Sequence, residues 1–201
     1  MNYPLVEIFR SIQGEGHHAG MPAVFVRLGG CNLNCEFCDT DHSDVALHTE
    51  YQIAVGVGAL LLKGVHWVVL TGGEPTKHQL QPLLSRLREL PVKIAIETNG
   101  TARLRKDDGI RWITVSPKLK ATDQRMKQFG GDELKIPVWP GFTDENIRTW
   151  LTHGAFGHRF LQPVATPNPK QWRANVERAV LLAEETGFRV GGQLHKYLKV
   201  R

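Results

Sequence analysis

Six short apolar stretches, each stopped by a polar, glycine or proline cluster, limit what this chain can fold into. Strands are predicted over Ala23–Leu28, which is rich in β-branched and aromatic residues, and over Trp67–Thr71, Val92–Thr98, Arg111–Ser116, Glu133–Ile136 and Arg159–Pro163. Between several of them lie segments with helical periodicity. Thr49 with Gln52 forms a capping box ahead of Ile53, Val57, Leu60 and Leu61. Lys77 to Glu89 carries Leu80, Leu83, Leu84 and Leu87 on one face. Thr143 or Asp144 caps a short helix through Leu151. Asn168 and Pro169 open a longer one to Thr186, with Trp172, Val176, Ala179, Val180 and Ala183 as its core stripe. Tyr3–Phe9 reads as an extended lead-in, and the tail from Arg189 as a last strand or closing segment.

Strands that alternate with amphipathic helices, without an internal repeat, argue an α/β fold with a parallel sheet. Thr101 to Phe142 has no strong helix, so a reduced (partial) parallel β/α barrel is expected, with some crossover helices replaced by loops. Ligands in such barrels sit at the carboxyl ends of the strands. The polar groups fall there: Thr71-Gly72-Gly73-Glu74, Glu97-Thr98-Asn99, Ser116-Pro117-Lys118 and Gln162. The cysteine loop that follows Ala23–Leu28 joins the same rim.

That loop holds the chain's three cysteines, Cys31, Cys35 and Cys38, within eight positions. They form no disulfide framework, and free thiols point to a reducing cytoplasm. Three convergent thiolates suit an iron–sulfur cluster with one iron left open. A zinc site completed by His42 is the alternative, although structural zinc usually draws on two separated ligand pairs. The chain of 201 residues is expected to form one domain, residues 1–201, with 41% hydrophobic and 22% charged residues. No apolar run of about 18 residues marks a membrane span, and Met1–Arg10 lacks a signal-peptide pattern. The net charge of +5 is spread along the chain, which argues against a nucleic-acid surface. His17 and His18 read as exposed loop residues. Glu97 reads equally as a base, a ligand anchor or a solvated carboxylate.

Cys-x3-Cys-x2-Cys after the first strand, with Gly72-Gly73-Glu74-Pro75 after the second, resembles the radical S-adenosylmethionine superfamily. The further segments Ser11–Gly16, Arg27–Leu33, Cys38-Asp39-Thr40, Glu97–Gly100, Ser116-Pro117-Lys118 and His195-Lys196-Tyr197 resemble its deazaguanine-forming family. The resemblance implies that Cys31, Cys35 and Cys38 hold a [4Fe–4S] cluster whose open iron takes S-adenosylmethionine. It implies conversion of 6-carboxy-5,6,7,8-tetrahydropterin to 7-carboxy-7-deazaguanine with loss of ammonia, by hydrogen abstraction at C6. Phe37, Cys38, Asp39, Gly73, Ser116, Pro117, Lys118, Gln162 and Pro163 would then line the S-adenosylmethionine site. Ile12, Gln13, Gly14, Glu15, Arg27, Thr71, Glu97 and His195 would meet the pterin, and Thr40 would bind magnesium. No residue is assigned as acid or base. A homodimer, an electron donor such as flavodoxin or ferredoxin, and no nucleic-acid or membrane partner complete the expectation. The rivals are a glycyl-radical activating enzyme of the same superfamily and a zinc-bearing nucleic-acid module.

Overall fold

The central strands are apolar for most of their length, and the computed structural model, which describes residues 1–201, joins them into one nine-stranded sheet. The strands are β1 (Asn2–Ile12), β2 (Pro22–Leu28), β3 (Ala46–Thr49), β4 (Trp67–Gly72) and β5 (Lys93–Thr98). They continue with β6 (Trp112–Val115), β7 (Gly130–Val138), β8 (Ala155–Pro163) and β9 (Arg189–Val190). Their order is β3-β1-β2-β4-β5-β6-β7-β8-β9. From β2 to β9 every neighbouring pair is parallel, while β1 runs antiparallel to both β2 and β3. This is the reduced parallel β/α barrel, with an antiparallel edge. The edge comes from Tyr3–Phe9, which is a paired strand and not a lead-in.

The outer face of the sheet is the core. Val24, Val26, Leu28, Val68, Leu70, Ile94, Ile96, Ile113 and Val115 are buried there against helices α1 (Glu50–Leu60) and α2 (Gln81–Leu87). Farther along, Leu134, Ile136, Val138 and Leu161 pack with α3 (Asp144–Thr149) and α4 (Pro169–Thr186). A parallel sheet needs this cover, because its strands cannot face water on both sides. Removing a side chain such as Leu84 or Ile136 would cost about 2–5 kcal/mol. No α-helix follows β5 or β6, which is the loss of crossovers expected from Thr101 to Phe142.

The capping box at Thr49 and Gln52 forms as read. Three local expectations change. The helix expected from Lys77 starts at Gln81, because Glu74 caps a separate 3-10 turn over Pro75–Lys77. On α4 the buried side chains are Asn175, Ala179 and Leu182, while Trp172 and Val180 are exposed. The face of α4 turned to the sheet is set by small Ala179 and by Asn175, whose amide donates to the Val164 carbonyl at 2.8 Å. The tail forms β9 and then a short helix, α5 (Leu194–Leu198), in place of one closing strand.

Candidate active site

The ends of β2 and β4 lie side by side, with Arg27 opposite Thr71 and Leu28 opposite Gly72. The cysteine loop leaves β2 at Gly29, and the Gly72-Gly73 turn presses directly on its first residues. A Cβ on Gly72 would lie 1.9 Å from the Leu28 carbonyl oxygen, and one on Gly73 would lie 2.1 Å from that of Gly30. The close approach lets Gly73 N–H donate to Leu28 O at 3.0 Å and Glu74 N–H to Gly30 O at 2.9 Å. Within the protein, the two glycines therefore seat the cysteine loop. Glu74, 1% exposed, ties the next strand end to the same point. It accepts from the Thr76 amide and hydroxyl, the Thr98 hydroxyl and the Asn99 amide, at 2.6–3.0 Å. Asn99 in turn donates to Asn32, just after the first cysteine, at 2.9 Å.

The three thiols are free; Cys31 and Cys35 are half-buried and Cys38 is exposed. Burial pushes the Cys35 thiol up, Lys118 pulls it down, and Cys31 and Cys38 push it up again. No three His, Cys, Asp or Glu side chains are gathered closely enough to hold a single ion. A cluster asks for something else, since each thiolate binds a different iron of it. All three cysteines line one cavity of about 460 Å³, within the usual range for a small-molecule site. The donor set and the room beside it fit a three-thiolate cluster with a ligand on its open iron.

Every other residue expected at the site borders this cavity except Pro117, which is buried behind the rim. Phe37, Asp39 and Gly73 lie on the cysteine side. There Lys118 donates to Ser116 at 2.6 Å and lies over the Phe37 ring at 5.8 Å. Burial lowers the Lys118 ammonium below the ordinary lysine range. Gln162 and Pro163 close this side from β8. Ile12, Arg27, Thr40 and Thr71 line it from the other flank. Arg27 Nε donates to Glu7 Oε1 at 2.8 Å, so the remaining guanidinium nitrogens are left for a ligand. Arg201 reaches the same Glu7 carboxylate. Asp39 is paired with Lys196 of α5 at 2.6 Å.

Deeper in the barrel Gln13, Glu15, Glu97 and Lys135 form one polar group. Lys135 Nζ lies 2.8 Å from Glu15 Oε2 and 2.8 Å from Glu97 Oε2. Gln13 donates to Glu97 at 3.1 Å and Gln193 to Glu15 at 2.6 Å. Burial raises the Glu15 carboxyl, but Lys135 and Gln193 more than reverse it, so the group stays below its ordinary value. The α5 segment folds back over Gly14: Leu194 N–H donates to Gly14 O at 2.8 Å, and the His195 ring fills the space a Cβ on Gly14 would need. Burial holds the His195 imidazole below its ordinary value. Beneath the group, the Glu133 carboxyl is pushed up to about 7 by burial, against the pull of Lys135.

Sequence reasoning missed Lys135, Glu133, Glu7 and Gln193 as members of this site. The signal for the first two was present: charges alternate with Leu134 and Ile136, and strand alternation turns them to the barrel interior. His18 was expected to be exposed; it packs on Trp67 and Trp112, with centroid distances of 4.9 and 4.1 Å. The tetrad of Glu7, Arg27, Phe9 and Arg201 is a contact between chain ends that spacing does not reveal.

The family model described as "Radical SAM superfamily" matches residues 25–125. Proteins named 7-carboxy-7-deazaguanine synthase are similar along the whole chain. That of Bacteroides thetaiotaomicron is 39% identical over 97% of this chain and 97% of its own. That of Nitratidesulfovibrio vulgaris is 35% identical over 100% of both, and that of Escherichia coli K12 31% identical over 100% of both. The solved structure described as "Crystal structure of QueE from Escherichia coli" superposes with a TM-score of 0.75 at 27% identity, over 97% of this chain and 95% of that one.

Proposed function

Since the chain belongs to the 7-carboxy-7-deazaguanine synthase family of the radical SAM superfamily, we propose that it converts 6-carboxy-5,6,7,8-tetrahydropterin to 7-carboxy-7-deazaguanine with loss of ammonia. One observation carries the reading: a single cavity is bordered at once by three free thiols and by a buried polar group of donors and carboxylates. The bound cluster and S-adenosylmethionine supply hydrogen-abstracting radical chemistry, and Cys31, Cys35 and Cys38 hold the cluster. The chain's own groups bind and orient. Phe37, Lys118, Ser116, Gly73 and Gln162 enclose S-adenosylmethionine beside the thiols. Arg27 takes the substrate carboxylate as a fork, with Glu7 fixing the guanidinium from behind. Gln13, Glu15, Glu97 and His195 meet the pyrimidine edge at the far end.

Three finer points belong to the same proposal. Magnesium is held by Thr40 and by substrate oxygens, since a hard cation that keeps its waters needs few protein ligands. The protein works as a homodimer, a state supported by exposed Leu47, Tyr51 and Val55 on β3 and α1, and its free thiols suit the reducing cytoplasm. Its electron donor is of the flavodoxin or ferredoxin kind. No helix is long and apolar enough to cross a membrane.

The test is anaerobic reconstitution followed by turnover. About four irons per chain are expected, and reductant, S-adenosylmethionine, magnesium and the carboxy-tetrahydropterin are expected to give the deazaguanine. Formation of 5′-deoxyadenosine without the deazaguanine would assign the protein to a different radical reaction.

A further inference from the structure

Lys135 is the one ammonium at the deep end of the cavity, and its hydrogen bonding is incomplete. The residue is 5% exposed. An ammonium has three N–H donors and no acceptor. One donates to Glu97 at 2.8 Å, and a second faces Glu15, whose carboxylate is ion-paired with the ammonium at 2.8 Å. No third protein oxygen lies within hydrogen-bonding range, yet the side chain borders the cavity. A buried donor without a partner is costly, so the third N–H marks where a ligand acceptor belongs. The two carboxylates beside it keep unused lone pairs, because each oxygen of Glu97 and Glu15 has one partner in the protein. The deep end therefore presents acceptors next to a single charged donor.

A 2-amino-4-oxopyrimidine edge is the complement of that pattern. Its 2-amino group and N3–H donate, and its O4 accepts. We propose that Lys135 is the specificity-determining residue for the 4-oxo group, donating to O4 while Glu15 and Glu97 accept from the 2-amino group and N3–H. The assignment rests on the pterin reading of the site, and it deepens that reading to one atom. Arg27 on β2 and Lys135 on β7 stand on different flanks of the sheet, so a carboxylate at one end and an oxo group at the other suit an elongated bicyclic ligand. Lys135 also keeps Glu15 and Glu97 from repelling each other.

The experiment is anaerobic calorimetry on the reconstituted protein loaded with S-adenosylmethionine and magnesium, without reductant. The probes are 6-carboxypterin and its 4-thioxo counterpart, which keeps N3–H and the 2-amino group and replaces only the O4 acceptor. The wild-type protein is expected to bind the oxo compound roughly 10- to 100-fold more tightly, as loss of a hydrogen bond to a charged group implies. In Lys135→Met that preference is expected to vanish, a change that a merely structural lysine does not produce. If Lys135→Met fails to fold, the wild-type comparison of the two probes decides alone. Equal affinity for oxo and thioxo probes would overturn the role of Lys135 and leave the pterin reading standing. Binding of neither probe, with S-adenosylmethionine still bound, would overturn both.

Discussion

Replacing Gly73 with alanine tests whether the cysteine loop is seated by backbone contact. The added methyl would lie 2.1 Å from the Gly30 carbonyl oxygen, 2.5 Å from its carbon and 3.0 Å from the Cys31 nitrogen. All three are backbone atoms, so no side chain can swing away. The end of β4 and the start of the loop must part by roughly 1 Å, which a close-packed region does not absorb. That movement breaks or stretches Gly73 N–H to Leu28 O and Glu74 N–H to Gly30 O. Two such bonds, with their groups left partly unsatisfied, amount to about 2–4 kcal/mol. For a domain of this size the melting temperature should fall by about 5–15 °C. Cys31, whose nitrogen is in the clash, is displaced relative to Cys35 and Cys38. Anaerobic reconstitution should then leave the Ala variant with less than half the iron of wild type, although circular dichroism still reports a folded chain. Full iron loading with an unchanged melting temperature would refute the seating argument. Gly72→Ala should be worse, because its φ of +141° adds backbone strain to a 1.9 Å contact.

Glu74→Gln should lower the unfolding free energy by about 2–4 kcal/mol in urea titrations, because four donors lose a charged acceptor and an amide N–H₂ faces the Asn99 N–H; an unchanged midpoint would dismiss the network. Glu133→Gln should remove a pH dependence. The unfolded carboxyl ionises near 4.5 and the folded one near 7, so the native state holds the extra proton between those values. Its contribution is complete below pH 4.5 and lost as pH rises through 7, on the order of 3 kcal/mol. Lys135, Glu97, Glu15 and the His17 amide are the groups that face this carboxyl. The Gln variant should gain on wild type from pH 5 to about pH 7 in thermal melts and level off above that, and parallel curves would contradict the assignment. Glu7→Gln should raise the KM for the carboxy-pterin several-fold with little change in kcat, since it loosens the Arg27 fork without touching the thiols; an effect confined to kcat would be the wrong sign for a binding role.

The six parallel strands and the rim at their ends were legible because both follow from local pattern. Each apolar stretch ends in residues that cannot continue a strand or that carry chemistry, and parallel strands put those ends on one side. The cysteine spacing carried its own meaning. What stayed hidden depends on contacts between distant segments. Tyr3–Phe9 becomes an edge strand only because β2 and β3 offer it partners. The buried face of α4 follows Asn175 and Ala179, where hydrophobicity alone favours Trp172 and Val180. Glu7, Gln193 and Arg201 enter the site from the two ends of the sequence, and no spacing rule connects them.

Lys135 shows how the core and the site are set by one variable, the register of β7. Leu134, Ile136 and Val138 are fully buried on the outer face of that strand, against α3 and α4. Glu133, Lys135 and Pro137 necessarily take the other face, since strand side chains alternate. A slip of one residue would press Lys135 into the apolar layer and push leucine into the cavity. Each would be opposed by several kcal/mol, the first by an unpaired buried charge and the second by lost packing. The apolar side therefore selects the register, and the register aims the ammonium at Glu15 and Glu97. The same holds on β5, where Ile94 and Ile96 are packed outward and Ala95 and Glu97 face in. A substitution in the outer layer that lets β7 shift should thus disturb ligand selectivity before it unfolds the domain, although it touches no ligand.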